Sequence, residues 1–245
     1  MRLYWLEQVQ ADVPLGNDWL SPWEITRLDR FRFPKRLADW RLGRWTAKQA
    51  LAAALNLGWD DPALATIEIR PALSGAPEVY LKGEAAPVAI SLSHREGRAM
   101  CAIARRDVRV GCDLEAIETH SDGFVSDYFT VEEQQVIART GGHYREHTVS
   151  LLWSAKESAL KALHEGLRLD TRAVIASFDS ESLNTEGWGV VEVRYGDQLF
   201  SGWWQEADHL VRTILANTPS NAPIRLPVTS VVESGFVPEC PASVR

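Results

Sequence analysis

Residues 45–55 read WTAKQALAAAL and residues 153–163 read WSAKESALKAL. Tryptophan, first alanine, lysine, a later alanine and the closing leucine coincide at an offset of 108 residues, with Thr46/Ser154 and Gln49/Glu157 as near matches. Upstream, Ser21-Pro22-Trp23-Glu24 and Thr130-Val131-Glu132-Glu133 each place a hydroxyl N-cap three residues before a carboxylate, which is a helix-start signature, and these lie 109 apart. Two signals separated by nearly the same interval predict a chain built of two related halves.

Working outward, each half has the same order. A first helix opens at Ser21 or Thr130, and a longer one follows over 36–57 or 147–165, with Gly58 and Gly166 expected as left-handed caps. Strands are predicted at 66–70, 78–81, 88–93, 99–104 and 109–113, then at 174–178, 189–195, 198–204 and 210–216. Helices followed by hairpin-spaced strands give an α+β fold with antiparallel sheets. The expected division is 1–110 for one α+β half, 111–217 for the other, and a proline-rich tail over 218–245 that wraps the surface or is partly disordered.

Composition narrows the function. At 245 residues, 45% hydrophobic and 24% charged, the chain has a globular balance. No run reaches the ~18–20 apolar residues of a membrane span, and no export signal precedes Glu7 and Asp12, so a cytoplasmic protein without a membrane partner is expected. Cys101, Cys112 and Cys240 are too few and scattered for a disulfide frame or zinc site. The net charge of −7 argues against nucleic acid as a partner. It conceals a basic segment, however: eight cations against two carboxylates between Arg27 and Lys48 give a local +6 and leave −13 for the rest. Within it Arg41, Arg44 and Lys48 follow an i, i+3, i+7 pattern, a row suited to an anion or to solvent.

Two further elements carry acidic chemistry. In Val110-Gly111-Cys112-Asp113-Leu114-Glu115 the strand period puts Asp113 and Glu115 on one face, about 6.6 Å apart, where water, a basic side chain or a divalent cation must offset their repulsion. In Leu152-Trp153-Ser154-Ala155-Lys156-Glu157-Ser158-Ala159-Leu160-Lys161 the helical period pairs Glu157 with Lys161, a spacing that on a surface helix contributes only ~0.2–0.5 kcal/mol. The first copy carries Gln49 and Ala53 at these positions, so divergence has added charge to one copy only.

Gly111-Cys112-Asp113-Leu114-Glu115 followed by Trp153-Ser154-Ala155-Lys156-Glu157-Ser158-Ala159-Leu160-Lys161 resembles the paired signature of the 4′-phosphopantetheinyl transferases, specifically the long surfactin-synthetase-activating type. The resemblance runs from about Trp23 to Asn217 and implies a monomeric pseudo-dimer with its active site in the cleft between the halves. It implies Asp113, Glu115 and Glu157 as Mg²⁺ ligands, and Glu157 and Lys161 as the residues acting on the reacting groups. Arg41, Arg44, Lys48, Ser93, His94 and Lys156 would face coenzyme A, with His94 of Ser91-Leu92-Ser93-His94 on the 3′-phosphate. The implied reaction transfers phosphopantetheine from coenzyme A to a serine of an apo acyl or peptidyl carrier protein and releases 3′,5′-ADP. The family's Gly-Lys-Pro is here Gly75-Ala76-Pro77, so one lysine contact is lost. The competing expectations are a non-catalytic carrier- or nucleotide-binding module on the same fold, and an unrelated magnesium-dependent phosphodiesterase.

Overall fold

The computed structural model describes residues 1–142, 144–179 and 187–227. Its elements, in chain order, are β1 (Tyr4–Val9), α1 (Pro22–Leu28), α2 (Pro34–Leu55), α3 (Asp61–Ala65), β2 (Ile67–Pro71), β3 (Pro77–Leu81), β4 (Glu84–Ala85), β5 (Val88–Arg95), β6 (Arg98–Arg105) and β7 (Val110–Ala116). Then come α4 (Asp122–Tyr128), α5 (Val131–Thr140), α6 (Tyr144–Leu163), β8 (Val174–Phe178), β9 (Gly189–Tyr195), β10 (Gln198–Ala207), β11 (Leu210–Ala216) and β12 (Ile224–Arg225). The architecture is mixed α+β with sheets ordered β12-β1-β6-β5, β7-β11-β10-β9-β8 and β2-β3-β4; pairing is antiparallel except where β12 joins β1. No described helix is long and apolar enough to cross a membrane.

The helix starts follow the sequence. Ser21 and Thr130 cap α1 and α5 in full capping boxes with Glu24 and Glu133. Each of these carboxylates continues inward to a buried lysine, and the two Glu–Lys pairs match atom for atom; Glu24 adds a second ion pair, to Arg44 Nε at 3.5 Å. Glu24 Oε2 takes the Ser21 amide and lies 2.6 Å from Lys48 Nζ, while its Oε1 takes the Ile69 amide. Glu133 Oε2 takes the Thr130 amide and lies 2.8 Å from Lys156 Nζ, while its Oε1 takes the Ala176 amide. Lys48 donates its other hydrogens to the Trp19 and Leu64 carbonyls, Lys156 to those of Thr171 and Val174. Each pair thus ties a short helix, a long helix and the strand that follows.

The long helices also end alike. Asn56 (φ 52°) and His164 (φ 61°) adopt the left-handed conformation, and the amides of Leu57 and Glu165 reach back to the Ala52 and Leu160 carbonyls in Schellman fashion. The expected caps Gly58 and Gly166 therefore lie two residues too late. Gly58 answers to packing instead, since a Cβ there would meet Ala63 Cβ at 2.7 Å.

Five elements were not expected: β1, α3, β4, α4 and β12. β1 is buried on both faces from Trp5 to Gln8, which erases the alternation that marks a half-exposed strand. The strand predicted to close the first half, β7, extends to Ala116 and hydrogen-bonds β11, with Asp113 opposite Thr213, so it belongs to the second sheet. A core of Leu3, Trp5, Met100, Ala102, Cys112 and Ile214 joins β1 and β6 to β7 and β11. Cys101 and Cys112 are free and buried; burial pushes Cys112 up to about 11, which removes thiolate chemistry. Of the tail, β12 lies beside β1; residues 228–245, Cys240 included, lie outside the described residues.

Replacing Lys156 with alanine strands the Glu133 carboxylate in the interior and should cost about 3–5 kcal/mol in urea unfolding. The double variant Glu133→Gln/Lys156→Met should recover a large part of that loss; equal destabilisation by single and double variants would contradict the pairing.

Candidate active site

The site begins with a close approach of α6 to β7. A Cβ on Gly111 would stand 1.8 Å from the Ser158 carbonyl oxygen, so only glycine lets the helix backbone lie on the strand. Ser154 and Ser158 continue this narrow seam through hydrogen bonds to the Thr213 hydroxyl at 2.9 and 2.7 Å. Residues one turn further along α6 are thereby set directly over Asp113.

β5 meets β7 through serine side chains. Ser91 Oγ accepts the Cys112 amide, and Ser93 Oγ accepts the Leu114 amide while donating to Asp113 Oδ1 at 2.8 Å. Lys161 Nζ completes the group, with Asp113 Oδ1 at 2.7 Å and Ser93 Oγ and the Cys112 carbonyl each at 3.0 Å. Burial works against the Lys161 ammonium, but the charges of Asp113 and its neighbours outweigh it and hold the group above the ordinary lysine range. The helical pairing of Glu157 with Lys161 is not what forms: the lysine turns to the strand carboxylate, which is buried and offers the stronger field.

This leaves acidic groups in excess. Asp113 Oδ2 is buried without a hydrogen-bond partner among the described residues. Glu115 accepts from Trp153 Nε1 at 3.2 Å and lies 3.4 Å from Arg95, yet burial and then the Asp113 charge push it up to about 7. Glu157 is raised by the same two causes, with Lys161 opposing. Among the described residues no three such side chains are already closed around a metal position. Nevertheless, an orphaned carboxylate oxygen and two carboxylates held uncomfortably by a third fit a divalent cation, above all Mg²⁺, which takes a few carboxylates and completes its shell with phosphate and water.

Two cavities of about 370 Å³ flank the group. One is lined by Arg44, Arg70, the 74–77 loop, Lys161 and His164, the other by Phe31, Arg36, Trp40, Arg44, Ser93 and His94. Arg44 borders both; its guanidinium packs over Trp40 at 5.2 Å and its Nε lies 3.5 Å from Glu24 Oε1, without a hydrogen bond among the described residues. His94 lies on the rim, 4.0 Å from Asp39.

The basic row is dispersed. Lys48 and Lys156, expected to face coenzyme A, are fully buried and give all three hydrogens to protein oxygens, so neither has a donor left for a ligand. Arg41 is turned to the 14–17 loop, donating to Asn17 Oδ1 and to the carbonyls of Pro14, Leu15 and Gly16. Of the residues expected to face coenzyme A, Arg44, Ser93 and His94 remain on the cavities. Sequence reasoning did not find Arg70, Arg95 or His164, and it reached Arg36 only as part of the basic segment from Arg27 to Lys48. Trp153 was visible as a repeated tryptophan, but its bond to Glu115 was not.

Residues 109–218 match the model of the 4′-phosphopantetheinyl transferase superfamily. This segment is a domain of that superfamily. The protein is therefore an enzyme of the holo-acyl-carrier-protein synthase and phosphopantetheinyl transferase class. The transferase segment includes β7, α6 and every carboxylate of the site. No curated protein matches the chain. Among solved structures, the Helicobacter pylori holo-[acyl-carrier-protein] synthase in complex with coenzyme A is similar at 18% identity over 42% of this chain and 98% of that one, with a TM-score of 0.29, too slight to carry an argument.

Because burial and Asp113 both oppose ionised Glu157, Glu157→Gln should raise the metal-free unfolding midpoint by about 2 °C. The same change should shrink the gain produced by Mg²⁺ with coenzyme A. Calorimetry that finds a lower metal-free midpoint would contradict the electrostatic reading.

Proposed function

We propose that the enzyme moves 4′-phosphopantetheine from coenzyme A to a serine hydroxyl of an apo carrier protein, using Mg²⁺ and releasing 3′,5′-ADP. The observation that carries this is the Lys161–Asp113 pair, whose carboxylate charge also raises Glu115 and Glu157, beside two cation-lined cavities, within the segment matching the transferase superfamily. A non-catalytic binder gains nothing from holding two half-buried carboxylates against the charge of a buried third.

On this reading the chain is a cytoplasmic monomer of the long type, a pseudo-dimer with halves at 1–110 and 111–217 and a tail over 218–245. The matched Glu–Lys pairs and Schellman ends support it. So does the asymmetry between the copies. β1 holds in the first sheet the place of β7 in the second, and its Glu7 is closed off by Arg212 at 2.6 and 2.8 Å and Arg98 at 3.0 Å. Gln49 and Ala53 stand where the second half has Glu157 and Lys161, so the second half alone has the helix carboxylate and lysine beside its strand carboxylates.

Asp113, Glu115 and Glu157 would hold Mg²⁺, which when bound supplies positive charge to the pyrophosphate oxygens. Lys161 fixes Asp113 and keeps its own charge beside the reacting phosphate. Glu157 takes the proton of the carrier serine, through water or directly, as the serine oxygen bonds to the β-phosphorus and the bond to 3′,5′-ADP breaks. Trp153 links this centre to a docking face. It donates to Glu115 and packs against Phe124 and Tyr128 at 5.2 and 5.1 Å, on the stretch 124–129 where the carrier would bind.

Incubation with coenzyme A, Mg²⁺ and a panel of apo carriers, read by intact mass, should add one phosphopantetheine to at least one carrier. Asp113→Ala and Glu157→Ala should lower the rate on the order of 10²-fold or more while leaving the fold intact. Coenzyme A binding without transfer to any carrier would favour the binding module, and near-normal labelling by either variant would reject the metal site.

A further inference from the structure

Coenzyme A carries a pyrophosphate and a 3′-phosphate, and the cleft has fewer cations for them than the sequence promised. Lys48, Lys156 and Arg41 are committed to protein oxygens, and position 76 is alanine. The cavity lined by Ala76 nevertheless contains a cation that belongs to neither signature stretch. Arg70, on β2, borders it together with Arg44 and Lys161. Arg70 stands opposite Glu78 in the β2–β3 ladder, at the base of the hairpin whose loop carries Gly75 and Ala76.

Its guanidinium is held without being used up. It lies over the Tyr80 ring at 4.8 Å and near Trp23 at 5.9 Å, and its Nε and one terminal nitrogen meet Glu68 Oε1. Glu68 in turn accepts from Ser21 Oγ, the α1 cap. The aromatic surfaces and the carboxylate orient the fork, and 43% of the side chain stays exposed, in contrast to the sealed lysines. An oriented, half-exposed guanidinium on a cavity wall suits a phosphate, which accepts two parallel N–H bonds.

We infer that Arg70 is a phosphate-binding residue for the nucleotide portion of coenzyme A, taking the part that a lysine at position 76 would otherwise play. The inference rests on the coenzyme A reading above and extends it to a residue outside the signature.

The test is equilibrium binding by calorimetry, with Mg²⁺ present, of coenzyme A and of dephospho-coenzyme A to wild type, Arg70→Gln and Arg172→Gln. Arg172 is an exposed surface arginine paired with Asp170, so its variant controls for net charge. Arg70→Gln should weaken coenzyme A binding about tenfold or more, the scale of a charge-assisted hydrogen bond, with an unchanged unfolding midpoint and no comparable effect of Arg172→Gln. A loss confined to coenzyme A assigns Arg70 to the 3′-phosphate, and a loss shared with dephospho-coenzyme A assigns it to the pyrophosphate; both support the inference. Unchanged affinity in Arg70→Gln, or an equal loss in Arg172→Gln, overturns it while leaving the transferase reading in place. Absence of coenzyme A binding by wild type defeats both.

Discussion

The contact between Gly111 and the Ser158 carbonyl is the constraint on which the site depends. It sets the depth at which α6 rests on β7, and every group of chemical interest is referred to that depth. With Ser154, Ser158 and Thr213 forming the rest of the seam, no bulky side chain separates helix from sheet, so Lys161 reaches Asp113, Ser93 and the Cys112 carbonyl together. A residue that looks like spacing in a motif is therefore the one that assembles it. The tight packing buries Asp113, whose Oδ2 has no partner among the described residues, and burial together with its charge raises Glu115 and Glu157.

The duplicated Glu–Lys pair does different work. Burying an ion pair is weak as a source of net stability, but losing one partner is severe, and a pair that accepts amides from two elements fixes their relative position. Glu24–Lys48 and Glu133–Lys156 do this in parallel, each joining a capping box to a following strand. The long helices that bear the site residues are thus anchored at a point one or two turns from the chemistry.

Much of this was legible in the sequence, and the failures have physical causes. The capping boxes, the order of elements and four strands of the second half followed from local signals that depend on a few adjacent residues. β1 was missed because burial on both faces removes periodicity, and the helix caps were misplaced because Asn56 and His164 accept a left-handed conformation that glycine more often signals. At the site, the strand period correctly put Asp113 and Glu115 on one face. The basic row failed because charge and helical spacing report which side a cation starts from, not where a long side chain ends: Lys48 turns inward to Glu24 and Arg41 sideways to a loop. Arg70 had no local signal, since its place on the cavity depends on how the β2–β3 hairpin folds against α2 and β5.

The account stands or falls on whether the acidic cluster is a cation site of the nucleotide cleft. Diffraction from crystals grown with coenzyme A and Mn²⁺, read by anomalous scattering, measures this directly. The account predicts a single manganese peak within coordination distance of oxygens from Asp113, Glu115 and Glu157 and of a coenzyme A phosphate. A bound coenzyme A with no peak there, or with manganese coordinated elsewhere, would contradict it.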